Sequence, residues 1–216
     1  MTSTVTAADP GRPALRPAGT GRRGLVTAAV TGALAGLTLP VGVAGGAVSP
    51  RPATPTGGET RHERLMRLAI EQGRRNPFYP FGAVVADARS GDLLAAAVND
   101  AAADPTLHGE IAAMRAYLAR HGNGGWDAVA LYSTGEPCAM CMAAMAWAGV
   151  AQVVWGSSIP TLRRTGIPQI SLRAHEVARS SGTFHRPGLL LGGVLEAETD
   201  ALFEEARRRR ETAARR

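Results

Sequence analysis

The sequence predicts a layered α/β domain whose sheet is mostly parallel, with an antiparallel hairpin at one side. Three observations carry this. Short apolar runs alternate with helix-length segments through the second half of the chain, the pattern of strands linked by helices. Two further runs, residues 81–86 and 93–98, are joined by the turn-forming stretch Asp87-Ala88-Arg89-Ser90-Gly91-Asp92, as in a hairpin. The chain has 216 residues, 45% of them hydrophobic, ample for a single core behind an N-terminal leader.

In chain order, residues 1–47 read as an export signal. Arg22-Arg23 precedes an uncharged stretch rich in Ala, Gly, Thr, Leu and Val, and Thr20-Gly21-Arg22-Arg23-Gly24-Leu25-Val26 is similar to a twin-arginine signal. Gly45-Gly46-Ala47 offers small residues for cleavage. The stretch is also long enough to span a membrane, so an uncleaved anchor is the competing reading; its glycines and Pro40 make it weakly hydrophobic and favour a removed signal. Residues 48–60 form a Pro/Gly/Thr-rich linker. The folded domain is expected over 61–210, with a short tail at 211–216.

Within the domain, Leu65, Leu68 and Ala69 set among Glu63, Arg64 and Arg67 predict an amphipathic helix ending near Gly73. The hairpin strands follow. Asp104-Pro105-Thr106 reads as the start of a helix through Ile111, Met114 and Leu118, stopping near His121-Gly122. Residues 128–133 are a buried strand. Pro137 opens a helix from Cys138 to Ala148, with Gly149 as its stop. Residues 152–155 are a strand, 170–179 a helix, 188–195 a fifth strand and 196–210 a closing helix.

The two central helix starts carry the chemistry. Thr106-Leu107-His108-Gly109-Glu110 and Glu136-Pro137-Cys138-Ala139-Met140-Cys141 together spell H-x-E…P-C-x-x-C. A neutral imidazole and two thiolates are good Zn²⁺ ligands, and three protein ligands leave the fourth tetrahedral position for water. Cys138 and Cys141, three apart, share one helical face, and a helix N-terminus lowers thiol pKa. Glu110 lies two residues from His108, placed to move protons without taking a metal position. A lone C-x-x-C also suits a redox pair or half of a structural zinc site. The chain has only two cysteines, both in this motif, so no second Cys-rich half exists for a structural site.

Charge does not point to nucleic acid. The net charge is +6, and all 24 basic residues are arginine. The one dense run, Arg207-Arg208-Arg209-Arg210, ends a helix, where arginines complement the dipole, and reads as a solvated face.

With these motifs the chain resembles the cytidine deaminase-like superfamily, in the branch of guanine deaminases, fungal-type cytosine deaminases and tRNA adenosine deaminases. The resemblance extends to Pro80-Phe81-Gly82-Ala83-Val84-Val85, Asn99, Asp104-Pro105-Thr106 and Ser133-Thr134-Gly135-Glu136. It implies a three-layer α/β/α domain around a five-stranded mixed sheet and a homodimer or larger assembly. It also implies Zn²⁺ held by His108, Cys138 and Cys141. Glu110 would take a proton from the attacking water, pass it to a ring nitrogen and later protonate the departing amine. Asn99 would hydrogen-bond the base, with Phe81, Gly82, Ala83 and Trp147 shaping the pocket. The strand entry at 80–85 and Trp147 are most similar to guanine deaminases, whereas glycine in His108-Gly109-Glu110 is also similar to the cytosine enzymes. The expected substrate is guanine or a related purine base or nucleoside, with cytosine or tRNA adenosine as alternatives. A catalytically silent zinc-fold protein or a secreted base-modifying toxin is the reading from another class.

Overall fold

A computed structural model describes residues 58–216; the export signal expected over 1–47 and residues 48–57 of the expected linker lie outside the described residues. Among the described residues no helix is long and apolar enough to cross a membrane.

The domain opens with α1 (Arg61–Arg74), started by a capping box in which the Thr60 hydroxyl accepts from Glu63 N and the Glu63 carboxylate accepts from Thr60 N at 2.7 Å. β1 (Gly82–Asp87) and β2 (Leu93–Val98) form the expected hairpin. Then come α2 (Gly109–His121), a 3₁₀ turn at Trp126–Ala128, β3 (Val129–Gly135), α3 (Ala139–Ala148) and β4 (Gln152–Ser157). The chain ends with α4 (Ile159–Arg164), α5 (Ala174–Ser180), β5 (Leu189–Leu191) and α6 (Glu196–Ala214).

The strands make one sheet in the order β2-β1-β3-β4-β5. β1 is antiparallel to both β2 and β3, while β3, β4 and β5 run parallel. The sheet is therefore mixed in equal parts rather than mostly parallel, because β1 also inserts antiparallel between β2 and β3. Alternation along the strands sorts side chains onto two faces. Ala83, Val85, Leu131 and Val153 pack with residues of α2, α3 and α5. Val84, Ala86, Tyr132 and Val154 pack with α1, and Leu202 of α6 joins them. This is the three-layer α/β/α arrangement expected of the family resemblance.

Several boundaries differ from the sequence-based expectation, each for a local reason. Helix α2 begins at Gly109, not at Pro105: the Asp104 carboxylate accepts from Thr106 N (2.8 Å) and Thr106 Oγ1 (2.6 Å), which holds 104–106 in a turn outside the helix. Helix α5 starts at Ala174 rather than at 170, where two carboxylates cap it: Glu176 accepts from Arg173 N (2.7 Å) and Glu136 from Ala174 N (2.9 Å). β5 stops at Leu191, since the chain leaves the sheet at Gly192 and turns through Leu195 (φ 52°) into α6. α6 runs on to Ala214, so the expected tail at 211–216 is largely helical, with Arg207–Glu211 and Arg209–Glu205 pairs along it. The six-residue α4 was not expected at all; it is too short to show a period, and its signature is only Ser158 as cap and Pro160 in the first turn.

Candidate active site

Helices α2 and α3, which follow β2 and β3, bring their N-termini together. His108 caps α2 and Cys138 caps α3, both with extended backbone, and neither side chain is used as a cap. Both side chains are thereby free to face each other. His108 Nδ1 lies 3.6 Å from Cys138 Sγ and 3.7 Å from Cys141 Sγ, and the two sulphurs are 3.7 Å apart. A tetrahedral Zn²⁺ with bonds of ~2.3 Å to sulphur and ~2.0–2.1 Å to nitrogen requires S···S edges of about 3.8 Å and S···N edges of about 3.6 Å. The three donors thus already stand at the spacing of one tetrahedral face. No other His, Cys, Asp or Glu among the described residues completes the cluster as a fourth ligand, which matches an open rather than a closed zinc site.

Electrostatics agree with a metal site. Cys141, assisted by His108, pulls the Cys138 thiol down to about 4 against the effect of its burial. Cys141 is pushed well above the usual thiol range, first by its partner Cys138 and then by burial. The His108 imidazole is held above its usual value by Cys138, against its partial burial. The pair therefore holds one thiolate readily, and a divalent cation is what would favour the second.

Glu110 is buried, 3% exposed, in the first turn of α2. Its Oε1 accepts from Ser133 Oγ of β3 at 3.1 Å, and its Oε2 lies 3.5 Å from Cys141 Sγ. Burial raises the carboxyl above its ordinary range, and the neighbouring Cys138 adds to this. Gly109 beside it has a steric reason. A Cβ there would meet the Phe81 carbonyl oxygen at 2.3 Å, so the α2 terminus passes directly over the backbone that leads into β1. The glycine in His108-Gly109-Glu110 thus reports packing and says little about substrate.

Against these groups opens a cavity of about 400 Å³, within the size of small-molecule sites. Tyr79, Phe81, Asn99, His108, Cys138 and the segment 167–170 line it. Asn99 is 7% exposed; its Oδ1 accepts from Asn76 Nδ2 at 3.2 Å and its N–H donates to Phe81 O at 3.0 Å. That leaves the Asn99 side-chain amide N–H groups as donors to the cavity.

Of the residues singled out in sequence, His108, Cys138, Cys141, Glu110, Asn99 and Phe81 come together here. Three do not. Gly82 packs against α1, where a Cβ would sit 2.1 Å from Ala69 O, and it carries no cavity surface. Ala83 is fully buried on the sheet face beneath α2 and α3. Trp147 lies at the far end of α3 from the cysteines, is 80% exposed and packs on Phe184 at 4.9 Å between ring centroids. Six residues beyond Cys141 is about 9 Å along the helix and most of two turns around it, which carries the indole away from the site. The sequence reading also missed residues. Tyr79 and 167–170 sit in irregular segments with no motif. Glu136 is buried with its Oε1 and Oε2 each 2.8 Å from Arg173 Nε, and it accepts from Ile159 N and Ala174 N, both at 2.9 Å. In sequence it stands only as part of the motif, and the signal for its role is its place directly before Pro137-Cys138.

The model of the cytidine and deoxycytidylate deaminase zinc-binding region matches residues 59–157. This span contains the three donors, Glu110, Asn99 and Phe81. Over these residues the chain is similar to the cytidine deaminase-like superfamily. Within it, the chain is 36% identical to a guanine deaminase of Bacillus subtilis (strain 168) over 92 residues, 42% of this chain and 58% of that protein. It is 30% identical to a probable cytosine deaminase of Schizosaccharomyces pombe over 88 residues, 41% of this chain and 53% of that protein. The chain thus spans somewhat over half the length of these curated relatives. The solved structure of a guanine deaminase from Nitrosomonas europaea has the same fold: the TM-score is 0.59 at 23% identity, over 74% of this chain and 89% of that one. The match ends at Ser157, so the cavity segment 167–170 and helix α6 lie beyond the matched residues.

Proposed function

We propose that this domain is a zinc-dependent hydrolytic deaminase of a free nucleobase, with guanine or a close purine preferred. The observation that carries the reading is a juxtaposition: three donors at zinc spacing and a buried Glu110 stand beside a mostly apolar cavity with Asn99 as a hydrogen-bond donor. His108, Cys138 and Cys141 would hold Zn²⁺, which when bound lowers the pKa of a coordinated water toward neutrality. Glu110 accepts the proton of the attacking water and hands it to a ring nitrogen of the base. It later protonates the amino group that leaves as ammonia. Ser133 fixes one carboxylate oxygen, so the other is the one that moves protons. Asn99, oriented by Asn76, donates to a base carbonyl or ring acceptor. Apolar side chains such as Phe81 and Ile167 cover the faces of a planar base and keep bulk water out.

Purine is supported by the likeness to guanine deaminases in sequence and fold and by a cavity large enough for a bicyclic base. The likeness to a probable cytosine deaminase supports cytosine as the second reading. The twin-arginine-like leader and the absence of a distributed basic surface in the sequence favour a free base over tRNA. Chelation provides the test. Purified protein should release ammonia from guanine, lose this on treatment with a strong chelator and regain it with Zn²⁺. No release from guanine, cytosine or adenine by the zinc-loaded chain would overturn the catalytic reading.

A further inference from the structure

The arginine run 207–210 reads in sequence as a solvated helix end, and the structure divides it. Arg207 pairs with Glu204 and Glu211, Arg208 lies 3.7 Å from Glu204, and Arg209 pairs with Glu205. Arg210 has no carboxylate partner among the described residues. Its guanidinium donates instead to two main-chain carbonyls, that of Phe78 and that of Thr165, the latter at 2.7 Å. Its Cζ also stands 5.1 Å from the centroid of the Tyr79 ring.

These contacts join two segments that are distant in sequence and both line the cavity. Tyr79 and Phe81 belong to the segment entering β1, and Ile167 and Ile170 to the segment leaving α4. Two turns earlier on the same side of α6, Phe203 is fully buried against the same pair of segments. It packs with Leu162 and Ile167, and its ring centroid is 5.0 Å from that of Phe81. One face of α6 therefore backs both segments, with Phe203 as an apolar wedge and Arg210 as a polar tie.

We propose that Arg210 is a positioning residue for the substrate cavity: from α6 it braces the Phe78–Tyr79 segment against the Thr165–Ile167 segment and so sets the width of the cavity. A planar guanidinium suits this task. Its forked donors reach two carbonyls at once while its face lies over an aromatic ring, and the single point charge of a lysine cannot do all three. Arg210 is outside the residues shared with the family model, so the brace belongs to this chain's own closing helix. It makes no contact with His108, Glu110, Cys138 or Cys141 and has no part in proton transfer.

The role in substrate binding rests on the proposed purine site, and two readouts on the zinc-loaded full chain separate the claims. In guanine deamination, Arg210→Ala should raise KM by about fivefold or more with kcat within about twofold, since only uniform binding is disturbed. Arg210→Lys should fall between, and Arg209→Ala, which removes only the Glu205 pair, should match the wild type. Hydrogen exchange needs no substrate: the amides of Phe81, Gly166 and Ile167 should exchange faster in Arg210→Ala and not in Arg209→Ala. If Arg210→Ala does not fold, Arg210→Gln gives the same two readouts. Unchanged exchange at these amides overturns the brace. Faster exchange with unchanged KM and kcat overturns its part in the cavity. Faster exchange where no form turns over guanine supports the brace and overturns the purine assignment instead.

Discussion

Two buried glutamates, Glu110 and Glu136, show how the surroundings of one side-chain type decide its task. Glu110 has a single hydroxyl donor and lies against a sulphur, so burial dominates and its carboxyl is held above the usual range, poised to carry a proton. Burial would also raise Glu136, but the Arg173 guanidinium and the N–H groups of Ile159 and Ala174 outweigh it and hold that carboxyl below the usual range. Glu110→Gln should therefore keep Zn²⁺ while kcat falls by about 10²–10⁴-fold, the usual worth of general acid–base help. Metal analysis beside steady-state ammonia release checks this, and a variant keeping a tenth of the wild-type rate contradicts the role. At this scale the sequence is most informative where chemistry limits the choice: two cysteines, one histidine at the right spacing and one glutamate are legible with no knowledge of the fold. Trp147 shows the limit. Proximity in sequence to a ligand says nothing until the angle around the helix is counted, and its indole ends in solvent.

At the scale of elements, the site depends on helix N-termini. α2 and α3 present His108 and Cys138 at their caps, and Glu136 fixes the starts of α4 and α5 through one carboxylate. The stretch from Ile159 to Ala174, which contains the cavity segment 167–170, is thus tied at both ends to the residue that precedes Pro137-Cys138. Removing the charge while keeping the shape, as in Glu136→Gln, should cost roughly 1.5–3 kcal/mol at neutral pH, the range for hydrogen bonds to charged groups. The sign with pH follows from the lowered carboxyl. Its contribution is fully present above the unfolded-state value of about 4.3 and is lost as pH falls through the lower folded value. The gap in denaturation midpoint between wild type and Glu136→Gln should be constant from pH 7 to about 5 and close below it; loss of metal in acid affects both proteins and cancels in the difference. A gap that widens in acid would contradict this account. Periodicity and stop residues made α1, the hairpin, α3 and β4 legible. Local hydrogen bonding that competes with helix, as at Asp104-Thr106, and a helix as short as α4 leave too little pattern to read.

For the whole molecule, four of the five strands and the three zinc-spaced donors lie in the residues that match the deaminase zinc-binding region, while part of the substrate cavity lies beyond them. Residues 59–157 supply the donors, Glu110, Asn99 and Phe81; the segment 167–170 and α6, which complete and brace the cavity, come after them. This is the physical reason that the class of chemistry was legible in sequence and the substrate was not. Ligand spacing is local, whereas the shape of the cavity arises from segments brought together only by the fold. The central claim, a zinc site that deaminates a purine base, is tested most directly by kcat/KM for guanine, guanosine, adenine and cytosine on the zinc-loaded chain. A site that hydrogen-bonds its proper base can reject analogues by as much as about 10⁴-fold, so the four should separate clearly. The account predicts guanine in first place, and cytosine in first place would contradict it.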